Sequence, residues 1–134
     1  MTSFPLKIVT PDGLMFDGQA EELIVRTTTG DIAILARHIN YVAPLGMGRA
    51  VVVTGGERRT AACIGGMLSV VNGEVTLVPT TFEWADEIDL SRAEKAYEKA
   101  DRILHDTSAS NTDVKMAEAR LRRARVRKSV ASRK

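Results

Sequence analysis

The sequence has little of the side-chain chemistry from which catalytic and metal sites are built. Cys63 is its single cysteine, which excludes an internal disulfide framework and predicts a reducing compartment. The two histidines, His38 and His105, lie in different halves, and neither has a cysteine, serine or metal-ligand partner at a recognisable spacing. We therefore predict a protein without chemistry of its own. In it, Cys63 is a small buried apolar residue and His38 belongs to a turn or an interface.

Long apolar runs and aromatic residues are also scarce. No stretch approaches the roughly eighteen consecutive apolar residues of a membrane-spanning helix, and we see no charged-then-apolar leader typical of a signal peptide. Membrane contact is therefore expected only through a partner. Aromatic residues make up 4% of the chain, and the low number argues against a nucleic-acid partner.

The residues that are present divide the chain into two parts of different charge. Residues 1–84 hold six Lys and Arg against eight Asp and Glu, a net charge of −2. Residues 85–134 hold thirteen against nine, a net charge of +4. A chain of 134 residues has room for one compact core and a small appendage. We place the boundary near Trp84, with domains at 1–84 and 85–134.

The first part alternates between apolar and polar residues, as strands with one buried face do. Turn sequences separate its short segments: Pro-Asp-Gly at 11–13, Gly-Gly at 55–56 and Asn-Gly at 72–73. This pattern predicts a β-sandwich or flattened barrel of about ten short antiparallel strands. The apolar run 32–35 is expected to be a buried strand onto which the sheets before and after it pack.

After Trp84 the apolar period lengthens to that of a helix. Asp89 is the expected N-cap of a first helix, and Ser110 begins a capping box for a second. Both helices carry a narrow, alanine-rich stripe, so they should form a helical hairpin that is marginally stable and mobile. The stripes consist of Leu90, Ala93, Tyr97, Ala100 and Leu104 on the first helix, and Val114, Ala117, Leu121 and Ala124 on the second.

The end of the chain is strongly basic, and its charge has two interpretations. It is either a solvated helix face, partly supported by a Glu118–Arg122 pair one turn apart, or a surface for an acidic partner. The basic residues are Arg120, Arg122, Arg123, Arg125, Arg127, Lys128, Arg133 and Lys134.

Several short motifs, in a particular order and spacing, connect the chain to a known family. They are Ile-Val-Thr-Pro-Asp-Gly at 8–13, Gly-Asp-Ile-Ala-Ile-Leu at 30–35 with His38, Gly-Gly-Met at 65–67, Val-Thr-Leu at 75–77, and Ile-Asp-Leu-Ser-Arg-Ala at 88–93. Together they resemble the epsilon subunit of the F-type ATP synthase over nearly the whole length. The family usually has Gly where this chain has Ala33, and Pro-Gly where it has Ala36-Arg37. We expect the turn before His38 to be altered and the strand to remain.

The resemblance implies a regulatory, non-catalytic subunit of a proton- or sodium-driven rotary motor. Its sandwich would contact the gamma subunit and the c-ring, with Asp31 and His38 at that interface. Its hairpin would lie folded or extend toward the alpha/beta catalytic head, where it would inhibit ATP hydrolysis, with Arg120, Arg122 and Arg125 against acidic segments of beta. No nucleic acid is implied, and the location would be the cytoplasmic face of the bacterial cell membrane.

The same resemblance raises a nucleotide site, although no cofactor is required. Some bacterial members bind regulatory ATP through an Ile-Asp-x-x-Arg-Ala motif and two arginines on the second helix. Ile88, Asp89, Arg92 and Ala93 match the motif, and Arg123 and Arg127 match the arginines. The alternative is a helix cap with an Asp89–Arg92 ion pair, and arginines that bind beta. For the whole chain, the alternative function is a free-standing module that uses the basic hairpin on an acidic protein or nucleic acid.

Overall fold

The computed structural model describes residues 2–132 and divides the chain into two units after Trp84. The first unit is built from ten strands and the second from two helices that follow a single 3-10 turn. In chain order the strands are β1 (Phe4–Thr10), β2 (Gly13–Ala20), β3 (Glu22–Thr27), β4 (Gly30–Ile34), β5 (Tyr41–Pro44), β6 (Met47–Thr54), β7 (Glu57–Ile64), β8 (Met67–Val71), β9 (Glu74–Val78) and β10 (Thr81–Trp84).

The strands form two five-stranded sheets whose inward faces share one core. The first sheet has the order β2-β1-β9-β8-β5 and the second the order β10-β7-β6-β3-β4. Because successive side chains of a strand point to opposite faces, alternate apolar residues enter the core. This confirms the predicted β-sandwich. Core residues include Leu6, Ile8, Leu68, Val70 and Leu77 from the first sheet, and Leu23, Val25, Ile34, Val52 and Cys63 from the second.

One pairing in the first sheet joins the beginning of the sandwich to its end. β1 runs parallel to β9, with Leu6 opposite Val75 and Ile8 opposite Leu77. The other named strand pairs are antiparallel. The first strand of the unit therefore lies inside the sheet, between β2 and the much later strand β9.

Two turns follow the expected glycine chemistry. Asn72 and Gly73 have φ angles of 50° and 82°, the left-handed pair that a two-residue hairpin turn requires. Gly66 has a φ angle of 96°, and a Cβ added there would collide with the carbonyl oxygen of Val78. Glycine is therefore required at 66 for both conformation and space.

The run 32–35 differs from its prediction as a buried strand. Its strand, β4, ends at Ile34 and is the outermost strand of the second sheet, paired only with β3 in that sheet's order. Ile34 is fully buried, but Leu35 is 55% exposed. As an edge strand it has a backbone partner on one side only, while its Ile32 and Ile34 side chains still contribute to the shared core.

The second unit is a helical hairpin with capped helices, as expected. α1 (Leu90–Leu104) follows the N-cap Asp89, whose carboxylate accepts a hydrogen bond from the Arg92 backbone N–H at 3.1 Å. α2 (Asn111–Ala131) follows Ser110, whose hydroxyl oxygen accepts from the Asp113 N–H at 3.1 Å. Each cap satisfies one of the backbone donors that a helix start leaves unpaired.

The buried side chains of the two helices are mainly alanines. Ala93 and Ala100 on α1, and Ala117 and Ala124 on α2, are at most 4% exposed. Small side chains let helices approach closely but remove little apolar area from water. Within residues 2–132, neither helix is long and apolar enough to cross a membrane.

Candidate functional site

The motif that suggested a nucleotide site begins α1, and most of its residues have structural roles. Ile88 and Ala93 are both buried, at 4% exposure. Asp89 caps the helix through one carboxylate oxygen, Oδ1. No Asp89–Arg92 ion pair forms within residues 2–132, because the carboxylate accepts from the Arg92 backbone instead of its guanidinium. The Arg92 side chain is exposed.

The three predicted phosphate-binding arginines lie on one flank of the hairpin. Arg92 and Arg123 each come directly before a buried alanine that faces the other helix. When two antiparallel helices pack face to face, residues that precede the facing residues by the same number of positions lie on the same side of the hairpin. Arg127 follows Arg123 by one turn and shares its face. We call this arginine flank the Arg92 flank.

The opposite flank of the hairpin carries an open groove of about 390 Å³ between the two helices. The ammonium nitrogen of Lys128 lies 4.4 Å from the centre of the Tyr97 ring, within the range of a cation–π interaction. The sequence prediction counted Lys128 in the basic tail and Arg125 among the beta contacts, but it gave Tyr97 no functional role. We call this surface the Tyr97 groove, and its lining residues are Leu90, Glu94, Tyr97, Arg125, Lys128, Ser129 and Ser132.

The three arginines predicted to contact beta do not share a face. At about 100° per residue, Arg125 lies roughly 60° from Arg122 and roughly 140° from Arg120. Arg120 therefore belongs with the Arg92 flank, and Arg122 and Arg125 with the opposite one. The predicted Glu118–Arg122 pair is absent from the ion pairs within residues 2–132. Arg133 and Lys134, also counted in the basic tail, lie outside the described residues.

On the sandwich, Asp31 is paired with a residue that the sequence prediction missed. Its Oδ1 accepts from the Nε of Arg26, directly opposite on β3, at 3.0 Å. Both side chains are about half exposed, at 51% and 52%. Asp31 thus presents its charge together with that of Arg26. The tight turn between β3 and β4 places the two residues opposite each other, and this cross-strand position is the signal that indicates the pair.

His38 lies in the turn after β4. Its backbone N–H donates to the Leu35 carbonyl oxygen at 3.3 Å, and its Nδ1 donates to the Ile39 carbonyl oxygen at 2.8 Å. Arg37 takes a φ angle of 66°, a conformation that glycine adopts at lower cost. This is the position where the related family has Gly. The strand survives the departure, and the turn is made with a strained arginine.

The outer face of the first sheet carries an exposed apolar row. Pro44, Met67 and Val78 are direct neighbours across β5, β8 and β9. Met67 and Val78 are 43% and 47% exposed. Val42 and Val71, on the same outward face, are 62% and 48% exposed. Contiguous apolar side chains in water are typical of a protein contact surface.

The remaining titratable groups do not converge. Cys63 is buried in the core as predicted, and this burial raises the pKa of its thiol to about 12. His105 caps the end of α1, with Nδ1 donating to the Asp101 carbonyl oxygen at 2.8 Å. In the part of the chain that the structure describes, no three His, Cys, Asp or Glu side chains are placed to hold a metal.

Two family models match the two structural units. The model described as the ATP synthase delta/epsilon chain beta-sandwich domain matches residues 3–85, and the delta/epsilon chain long alpha-helix domain matches residues 86–132. The chain belongs to the ATP synthase delta/epsilon chain family. This membership confirms the resemblance drawn from the short motifs.

Curated relatives agree over the whole length. The ATP synthase epsilon chain of Ruminococcus albus is 38% identical over 135 residues, covering 100% of both chains. That of Halalkalibacterium halodurans is 37% identical, covering 99% of this chain and 100% of its own. Both are named epsilon chain, the branch of the family that the motifs indicated.

Solved structures share the fold. A chain in the cryo-EM structure of the Euglena gracilis mitochondrial ATP synthase OSCP/F1/c-ring matches with a TM-score of 0.85 and 22% identity, covering 100% of this chain and 83% of that one. A chain of the Tetrahymena thermophila mitochondrial ATP synthase central stalk/c-ring matches with a TM-score of 0.68 and 13% identity, covering 95% of each.

Proposed function

We propose that this chain is a non-catalytic central-stalk subunit of a rotary F-type ATP synthase. It couples proton- or sodium-driven rotation to ATP synthesis, and its hairpin restrains ATP hydrolysis. Membership of the delta/epsilon family over both units supports the assignment to the complex. The complex would place the subunit on the cytoplasmic face of the bacterial cell membrane, attached through its partners.

The alanine interface of the hairpin is the observation that carries the regulatory part. A buried alanine contributes less than about 1 kcal/mol, whereas a buried Leu or Phe contributes about 1.5–3 kcal/mol. The buried alanines that face the other helix are Ala93, Ala100, Ala117 and Ala124. Such an interface can open at modest cost. We therefore assign the hairpin two states, one with its helices paired and one extended toward the alpha/beta head.

The sandwich is the proposed anchor. Its apolar row of Pro44, Met67 and Val78 offers the gamma subunit a contact that would remove exposed apolar surface from water. Asp31, paired with Arg26, and His38 lie on the second sheet and in the turn that follows it, and we assign them to the gamma and c-ring interface.

The hairpin's two flanks would serve different ligands. Arg125 lines the Tyr97 groove, and together with Arg122, one turn earlier on α2, it suits acidic segments of the beta subunit. On the other flank, Arg92, Arg123 and Arg127 suit the phosphates of regulatory ATP, because guanidinium groups bind phosphate oxygens in pairs. Arg120 lies on this second flank, so we place it near the nucleotide and away from beta.

The test is the ATPase rate of a cognate alpha-beta-gamma complex with added full-length chain, or with a chain that ends at Glu87. The shorter chain retains all ten strands of the sandwich. We expect both forms to bind gamma and only the full-length form to slow hydrolysis.

The other outcomes are equally informative. If both forms bind and neither inhibits, the regulatory part of the proposal is wrong and the subunit only couples rotation. If neither binds gamma, the central-stalk assignment itself is wrong. A free-standing module that binds an acidic partner would then explain the basic hairpin better, and its affinity would fall steeply with salt.

A further inference from the structure

Two further cations extend the Arg92 flank toward the loop between the helices. Lys99 comes directly before a buried alanine, as Arg92 does, so the two side chains lie on the same side of α1. Arg120 lies on this side of α2, three residues before Arg123. Lys99 and Arg120 are both exposed. The cations of the flank are thus Arg92, Lys99, Arg120, Arg123 and Arg127.

The acidic residues of the two helices lie mainly on the other flank. Glu94, Asp101 and Glu118 each come directly after a buried alanine, which turns them to the side of the Tyr97 groove. On the Arg92 flank, Asp89 and Asp113 lie only near the two ends of the cationic row. The hairpin therefore separates its charges by flank.

The middle of the cationic row has no acidic neighbour along its own helix. The residues three or four positions from Lys99, Arg120 and Arg123 include no Asp or Glu. Within residues 2–132, no ion pair engages these three side chains. Like charges held close together repel one another, and an anionic ligand would relieve that repulsion.

The row is longer than the three phosphates of a nucleotide require. Lys99 follows Arg92 by about 10 Å along α1, and Arg120 precedes Arg127 by about the same distance along α2. The start of α1 lies beside the end of α2, where both line the Tyr97 groove. Lys99 and Arg120 therefore lie together at the end of the row that the proposed nucleotide site leaves unused.

We propose that the Arg92 flank binds linear inorganic polyphosphate, with Lys99 and Arg120 engaging phosphates beyond the reach of a triphosphate. This inference deepens the assignment of the flank to phosphates, on which it rests, by naming a longer ligand. Guanidinium forks bind phosphate oxygens in pairs, and a polyphosphate carries negative charge on every unit of its chain. Because the cations come from both helices, a bound chain would stabilise the paired state of the hairpin.

The geometry favours polyphosphate over an acidic peptide or a nucleic acid. In an extended peptide, the side chains on one face recur about every 7 Å, so a segment along the flank would present few carboxylates to its cations. Single-stranded nucleic acid gains affinity by stacking its bases on aromatic side chains. Tyr97 is the only Phe, Tyr or Trp of residues 85–134, and it lines the groove on the other flank.

The experiment measures, by calorimetry, binding of the full-length chain to tripolyphosphate and to a much longer linear polyphosphate. The test variant combines Lys99→Gln with Arg120→Gln. The control combines Arg102→Gln with Lys115→Gln, which removes one arginine and one lysine from exposed positions turned away from the facing helix. We expect the test variant to bind the long chain about tenfold more weakly than the parent and to retain its affinity for tripolyphosphate. The control should bind both ligands nearly as the parent does.

The outcomes separate the inference from the assignment on which it rests. If none of ATP, tripolyphosphate and the long chain binds the parent, the assignment of the flank to phosphates fails too. If ATP binding depends on Arg92 and the test variant keeps its full affinity for the long chain, only the inference fails. An equal loss in the control would overturn the inference, because net charge and not the flank would then determine binding. Equally tight binding of a poly-glutamate of matched length would overturn it in favour of an acidic peptide.

Discussion

The ammonium nitrogen of Lys128 lies 4.4 Å above the centre of the Tyr97 ring, and so connects the last turns of α2 to the middle of α1. The pair adds a specific contact to an interface whose buried residues are mainly alanines. A partly exposed cation–π pair of this kind contributes about 0.5–1 kcal/mol. A free energy of this size is enough to change the fraction of open hairpins severalfold.

Lys128→Met should therefore loosen the hairpin while it preserves most of the side-chain stem. We expect the amide protons of α1 and α2 to exchange about two- to fivefold faster, corresponding to the lost 0.5–1 kcal/mol. Lys115→Met, which removes an exposed lysine of α2, is the control and should leave exchange unchanged. Equal protection in the parent and the Lys128 variant would show that the ring contact contributes nothing.

Arg92→Ala should weaken ATP binding if the Arg92 flank holds the nucleotide. The loss of a charge-assisted hydrogen bond costs about 1–3 kcal/mol, which calorimetry of the full-length chain would record as a reduced affinity. Arg125→Ala removes an arginine from the opposite flank and should leave ATP affinity unchanged. Equal affinity in the parent and the Arg92 variant would disprove the assignment of Arg92 to the site.

Arg37→Gly should stabilise the sandwich. An L-residue in the left-handed region costs about 1–2 kcal/mol, while glycine's extra freedom in the unfolded chain costs about 0.4–1 kcal/mol. The net expectation is a gain of about 0.5–1 kcal/mol, measured by urea unfolding. Arg37→Ala keeps the strained conformation and serves as the control. A loss of stability in the glycine variant would mean that the arginine side chain contributes more than its backbone costs.

Cys63 should resist thiol reagents while the chain is folded. Burial raises the pKa of its thiol to about 12, so the reactive thiolate is scarce at pH 8 and the sulfur is shielded from reagent. Reaction with a chromogenic disulfide should be slow in buffer and rapid in denaturant. Because the raised pKa favours the neutral thiol, the reaction rate of the folded chain should remain low from pH 7 to pH 9. A fast native reaction would show that the core opens readily around β7.

Local sequence signals were sufficient wherever neighbours along the chain decide the structure. The Asn72-Gly73 turn, the Asp89 and Ser110 caps and the alanine stripes each depend on residues within a few positions of one another. The helical repeat that places Arg123 and Arg125 on different flanks of α2 is equally local. The same repeat separates Arg120 from Arg122 and Arg125.

Features set by distant strands could not be predicted in the same way. The run 32–35 is as apolar as a central strand, but the order of the sheet leaves it at the edge. The Arg26 side chain packs closely against Gly46 and Gly48, which sequence patterns indicate only as turn or break signals. Strand order and close backbone approach both arise from long-range pairing, which composition and periodicity do not encode.

Because β1 pairs in parallel with β9, the first sheet can be completed only late in synthesis. During synthesis, β1 leaves the ribosome first. Its partner β9 leaves only when nearly the whole first unit has been synthesised. Such a non-local contact makes folding slow relative to helix formation. Until then β1 keeps one unpaired edge, and this is the stage at which a chaperone would be most useful.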